Sequence, residues 1–319
     1  MILPIPSIVT KLSEIALPSS PTESFVCVLA SMNLLHYEEW KDTDAVRVLT
    51  YFLDTVVTDF LESLDRLHKT DRDAALYMHR AYNFAKKHRA LGLGALGWHS
   101  YLQSNHLSFE SQEAAKKNLE IHKHIEEHSW NASRELSQLF GEPELLAGYG
   151  RRNTTLTAIA PTKSSSFILG QVSPSIEPYV SNYFVDDKAK IKVTFKNPYL
   201  KSALESVYGK DTEEVWESIR KHDGSVQHLD FLTDYDKEVF KTYGEINQEA
   251  IINQAAVRQD YIDQSQSLNL MIGPTMSAKE INRLILHAHK LGIKSLYYQH
   301  SVSAAQELVR NTSCVACEG

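Results

Sequence analysis

Residues 153–167 read NTTLTAIAPTKSSSF, and their order bears directly on how the chain folds. Thr154 to Ala160 mix β-branched and apolar side chains, the signature of a strand. Pro161 lacks the N–H that would continue a ladder, so the strand stops there. Thr162, Ser164, Ser165 and Ser166 then crowd hydroxyls into the place where a helix should begin. A single hydroxyl caps a helix. So many together, with consecutive backbone amides, favour a nest for a phosphate or diphosphate.

Working outward, three further runs have the same strand character: SFVCVLASMNL at 24–34, SLNLMIGPT at 267–275 and SLYYQHS at 295–301. Helical periodicity separates them. In 40–67, Leu49, Phe52, Leu53, Val56, Val57, Phe60, Leu61 and Leu64 form a stripe expected to face the core. Residues 111–130 read as another helix, and in 277–293 Ser277 with Glu280 makes a capping box, with Gly292 at the stop. Gly92, Gly94 and Gly97 suit a tight strand-to-helix passage; their spacing is wrong for a dinucleotide fingerprint. Strands alternating with helices predict an α/β sheet or barrel of parallel strands, with functional groups at the strand ends. The charged, aromatic stretch 185–237 reads as a helical insertion.

Composition narrows the function. The 319 residues carry a net charge of −7, which disfavours a nucleic-acid polymer as partner. No apolar run is long enough to span a membrane, and the opening residues do not resemble a signal peptide, so a cytoplasmic, reducing home is expected. There three cysteines are thiols by default. Cys314 and Cys317 form a CxxC near the last residue, where cysteines are either incidental to a loose terminus or an exchangeable dithiol; that spacing favours redox traffic. His124, Glu127 and His128 match an inverted zinc-protease pattern, but chance in a chain with 14 histidines makes a solvated helix face the better reading, and no metal site is expected. Tyr297 and Tyr298 would ordinarily point to opposite faces of a strand. Where the backbone leaves the pleat their rings can stack, an arrangement suited to stepwise movement of an electron and a proton.

In this order the strand with its cysteine and LASMNL, then GRRNTTLTAIAPTKSSS, GQVSPSIEP, DQSQSLNL, GPT, LGIKSLYYQ and the terminal CxxC resemble the C-terminal half of the large subunit of a class I ribonucleotide reductase. The resemblance implies about five parallel strands plus helices, half of a ten-stranded α/β barrel, over residues 13–305. It implies an unrelated extension at 1–12 and a flexible redox-active tail at 306–319. The activity implied is radical reduction of ribonucleoside diphosphates to 2'-deoxyribonucleoside diphosphates for DNA synthesis.

The resemblance also assigns roles. Glu14 matches the carboxylate that takes the ribose 3'-hydroxyl proton, and Cys27 one of two cysteines that reduce the 2' position. Pro161, Thr162, Lys163, Ser164 and Ser165 match the diphosphate loop. Tyr297 and Tyr298 match the radical relay, and Cys314 and Cys317 the mobile pair that re-reduces the active-site disulfide. No cofactor is expected on this chain. A metal-radical cofactor belongs to a small subunit, and a thioredoxin or glutaredoxin supplies electrons.

One departure matters. Aligned on Glu14, the chain has Thr10, Lys11, Leu12 and Ser13, with Leu12 where the family carries its radical-bearing cysteine. Leucine forms no thiyl radical. The first half-barrel and the second redox cysteine are also missing, so the expectation is a split subunit completed by a separately encoded N-terminal half and inert alone. The alternatives are an inactive relic or a decoy that binds the small subunit.

Overall fold

The computed structural model describes residues 14–188, 191–297 and 299–301. Its spine is a row of parallel segments taken in chain order. Leu29–Asn33 (β1) pairs with Gly92–Leu96 (β2) from Leu29 opposite Gly92 to Asn33 opposite Leu96. Leu93 then bridges Thr157, with Leu93 N donating to Leu156 O at 2.7 Å and Ala158 N to Leu93 O at 3.1 Å. Ile159 bridges Gln266, and that fourth segment continues into Leu270–Ile272 (β5), which pairs with Gln299–Ser301 (β6). The predicted strands are therefore present, although the 153–162 run contributes single bridges rather than a regular ladder.

Sequence reading gave β2 to a glycine turn, and the structure corrects this. A Cβ on Gly94 would lie 2.3 Å from Ala158 O, and one on Gly92 2.4 Å from Leu29 Cδ2. The glycines are there because the neighbouring segments approach too closely for any side chain. Gly97, at φ +80°, makes the turn into the next helix, as anticipated.

Helices fill the connections. Between β1 and β2 run Tyr37–Trp40 (α1), the long Ala45–Thr70 (α2), Arg72–Tyr77 (α3) and His79–His88 (α4). Trp98–Ser104 (α5) and Gln112–Phe140 (α6) follow β2, and Lys163–Ile168 (α7) follows the third segment. α2 buries Val46, Thr50, Leu53, Asp54 and Val57. Phe52 and Val56, placed in the core-facing stripe by sequence, are exposed, because α6, α4 and β1, which pack on α2, leave those two positions uncovered. α6 itself is packed between α2 and Gln248–Gln259 (α11), so His122 is buried, not solvated.

The insertion opens with an antiparallel hairpin, Tyr183–Lys188 (β3) with Ile191–Lys196 (β4), so it is not wholly helical. Pro198–Ala203 (α8), Glu213–Lys221 (α9) and Asp234–Val239 (α10) complete it around its own core of Leu200, Leu204, Trp216, Ile219, Val226 and Phe240. Ala278–Lys290 (α12) starts at the expected Ser277–Glu280 capping box, and Gly292 follows it at φ +78°. Among the described residues no helix is long and apolar enough to cross a membrane.

Candidate active site

Glu14 is held at the bottom of the seam by its backbone. Its carbonyl accepts from Ser265 N at 3.1 Å, and the Ala16 amide donates to Gln264 Oε1 at 3.2 Å. Gln264 in turn donates to Leu91 O at 3.0 Å, so one side chain joins the Glu14 segment to the entry of β2. Ile15 and Leu17 bury beside Phe84 and Ala90, fixing the stretch from the other side. Cys27 precedes β1. The residue is exposed, but its thiol is partly shielded from water, and that shielding together with the Glu14 charge pushes its pKa up. The two residues assigned to chemistry are thus coupled electrostatically. The pair favours a protonated thiol that can give a hydrogen rather than a thiolate.

Pro161, Thr162, Lys163, Ser164 and Ser165 lie where the third segment ends. Lys163, Ser164 and Ser165 are exposed. Thr162 does not cap α7 with its side chain. It sits in the left-handed region at φ 44°, and its Oγ1 accepts from Ser175 N at 2.8 Å, Ser175 being left-handed too at φ 53°. Two non-glycine residues held in that region and locked to one another mark stored backbone strain. The partner loop is anchored by Ser173 O and Ser175 O, which accept from Gly97 N and Trp98 N at 2.8 and 3.3 Å. A polar turn that reads as a cap is thus clamped through the Thr162 hydroxyl, leaving Ser164 and Ser165 exposed.

Two residues that sequence reading passed over sit beside this loop. Glu177 is 7% exposed and accepts a hydrogen bond from Asn269 Nδ2. Burial pushes its carboxyl up to about 7, opposed by that bond and by Lys163. Asn269 is fixed at its other end by Tyr243, whose hydroxyl donates to its carbonyl. Ile159 bridges Gln266, three residues before Asn269, so Asn269 lies on the segment adjacent to the one that ends at Pro161. On its far side Tyr297 N donates to Leu268 O at 2.8 Å. Tyr297 is half-buried outside a regular strand. Tyr298, Cys314 and Cys317 lie outside the described residues, as do Thr10 to Ser13.

The HxxEH pattern packs instead of facing open solvent throughout. His124 sets its ring against Tyr37 and Trp40, and burial lowers its pKa. His122 Nδ1 meets Asn118 O at 2.8 Å. Among the described residues no three His, Cys, Asp or Glu side chains converge on a metal position.

Comparison with known proteins fits this arrangement. A family model described as ribonucleotide reductase, barrel domain, matches residues 13–145 and 142–299. The chain belongs to this family. It is 42% identical over 297 residues to the ribonucleoside-diphosphate reductase large subunit of Invertebrate iridescent virus 6, covering 92% of this chain and 30% of that protein. The corresponding subunit of Invertebrate iridescent virus 3 is 39% identical, with 96% of this chain and 49% of that protein covered. A solved structure, the Actinobacillus ureae class Id ribonucleotide reductase alpha subunit, superposes with TM-score 0.84 at 56% identity, covering 92% of this chain and 53% of the other. The reductase-family chain described here therefore has an α/β fold and spans about a third to a half of these relatives' length.

Proposed function

We propose that the chain forms the diphosphate-binding and thiol-bearing part of a ribonucleoside-diphosphate reductase large subunit. The observation that carries this is the electrostatic coupling of Glu14 to Cys27, which together with partial burial favours a protonated thiol on the family fold. In this reading Thr162, Lys163, Ser164 and Ser165 bind the substrate diphosphate through hydroxyls, amides and one ammonium group. Glu14 takes the 3'-hydroxyl proton. Cys27 and a second thiol deliver two electrons and two hydrogens, the 2'-hydroxyl leaves as water, and the two sulfurs end as a disulfide. Cys314 and Cys317 exchange with that disulfide and are reduced by a thioredoxin-like dithiol. Tyr297 and Tyr298 pass the radical, which a metal-radical cofactor of a small subunit supplies.

The thiyl-forming cysteine and the second redox thiol must come from the remainder of the large subunit, since Leu12 stands in the first position and Cys27 is far from any other cysteine in sequence. That remainder is a complementary N-terminal half. Leu12 equally favours a second reading, a non-enzymatic protein that occupies the small subunit.

The test mixes this chain with a matching N-terminal half, a small subunit, a ribonucleoside diphosphate and a dithiol. Deoxyribonucleotide formed only in the complete mixture, and lost with Cys27→Ser, is the result expected. A complex that forms but turns over nothing sinks the enzymatic reading in favour of the decoy.

A further inference from the structure

Glu177 is an anomaly by its surroundings alone. Its carboxyl is buried at the end of a loop that wraps the start of α5, and a neutral amide, Asn269 Nδ2, is its hydrogen-bond donor. Among the described residues no ion pair reaches it. An ionised carboxylate placed so would be costly, because an amide dipole does not offset the loss of water around a full charge. Its loop is the one that clamps Thr162 through Ser175 N, and the ammonium of Lys163, the first residue of α7, acts on it electrostatically.

We propose that Glu177 is a positioning residue for the diphosphate loop that works as an uncharged acid, leaving Lys163 to face an incoming diphosphate. This rests on the loop assignment made above. Ionised, Glu177 would pair electrostatically with Lys163 and oppose the anion at short range. Binding and protonation are then linked: a bound diphosphate favours the acid form, and the acid form favours binding. The other titratable group facing Glu177 is Tyr243, ahead of α11, whose own burial keeps its hydroxyl protonated and which holds Asn269 in register. Arg258, on α11, lies beyond Tyr243 and donates to Gln266 and Asn118. Asn269 is the hinge of the arrangement, since it stands between the loop on one neighbouring segment and Tyr297 on the other. A substrate anion that changes the charge at Glu177 therefore acts one residue from Leu268, whose carbonyl accepts from Tyr297 N.

The test is calorimetric titration of the full chain with inorganic diphosphate at pH 6 and pH 8, for wild type and for Glu177→Gln, which keeps the acceptor for Asn269. Diphosphate titrates in both experiments, so that contribution cancels in the comparison. The expected result is that wild type loses roughly tenfold more affinity than the variant between the two pH values, with the variant binding tighter at pH 8. A second measurement needs no variant: the Glu177 carboxyl, followed by carbon NMR, should titrate at higher pH with diphosphate bound than without. Parallel pH curves and an unmoved carboxyl would overturn the role of Glu177 while leaving the loop intact. Absence of diphosphate binding by both proteins would instead overturn the loop assignment, and this inference with it.

Discussion

Under the insertion, Leu200, Leu204, Trp216, Ile219 and Phe240 close on one another as an apolar cluster, whereas along the parallel seam Gln259, Gln264, Gln266, Asn269 and Arg258 are buried just as deeply and are polar. Gln266 donates to Ala255 O at 2.8 Å and accepts from Arg258 Nε at 2.7 Å. An apolar cluster is non-directional and accepts exchanges of similar volume. A polar seam is not forgiving, because removing one partner leaves another donor or acceptor stranded away from water. The insertion holds itself together by bulk. The seam spends its burial on direction, and it is the seam that carries Glu14 and Asn269.

The most direct way to break this comparison is Trp216→Ala. Large-to-small truncation at a side chain 1% exposed should cost about 3–5 kcal/mol in denaturant unfolding. Diphosphate binding at the folded loop should change less than about twofold, since the two cores are separate clusters. A proportionate loss of binding would show the cores to be one unit.

Asp54→Asn should cost a similar amount, about 3–5 kcal/mol at pH 7. Asp54 accepts from Arg89 Nε and Arg152 Nε, both at 2.8 Å, and from Asn153 Nδ2 at 3.0 Å. Burial alone would raise its carboxyl, but the two guanidinium groups hold it below the usual carboxylate range. A depressed carboxylate stabilises above its unfolded pKa of 3.8 and loses that contribution as pH falls through the folded value. Wild type and variant should therefore converge as pH falls below 3.8 and through the folded value, a trend read from unfolding curves across pH.

Glu177→Gln has the opposite sign. A carboxyl raised from 4.5 to about 7 binds its proton more tightly in the folded state, so wild-type stability falls as pH rises between those values. The variant lacks this penalty. At pH 8 it should be more stable than wild type by up to about 3 kcal/mol, and the difference should shrink towards zero at pH 4.

The smallest effects sharpen the contrast most cleanly. Gln266→Leu strands Arg258 Nε and should cost about 1–3 kcal/mol, while Leu229→Met in the insertion should cost under about 1.5 kcal/mol. Equal costs in thermal or denaturant unfolding would remove the distinction between the two cores.

Much of the fold was legible because its signals are local. Pro161 ends a strand run for a covalent reason, and the Ser277–Glu280 box and Gly292 act within one helical turn. β2 was not legible as a strand, since Gly92 and Gly94 have no β propensity and are required only by segments arriving from elsewhere. Phe52 fits the helical period of α2 yet stays exposed, because periodicity reports a helix but not which of its positions the neighbouring elements cover. The site divides in the same way. Pro161–Ser165 announced itself by crowded hydroxyls, and Glu14 and Cys27 entered through family resemblance. Glu177 and Asn269 carry ordinary polar side chains, and only the approach of two distant segments makes them unusual. An acid directly before a proline, in a loop rich in serine, gives no hint of burial.

Gln264 binds the Ala16 amide across 248 positions of sequence, and this has a consequence for the nascent protein. Ribosomes add roughly 5–20 residues per second, so the stretch bearing Glu14 and Cys27 emerges on the order of ten to fifty seconds before the side chain that will pin it. Until then the stretch at Glu14 to Ala16 has no final neighbour on that side. Translation speed downstream thus decides how long a thiol and an unanchored stretch of backbone wait in the open cell, where chaperones and stray partners compete for them.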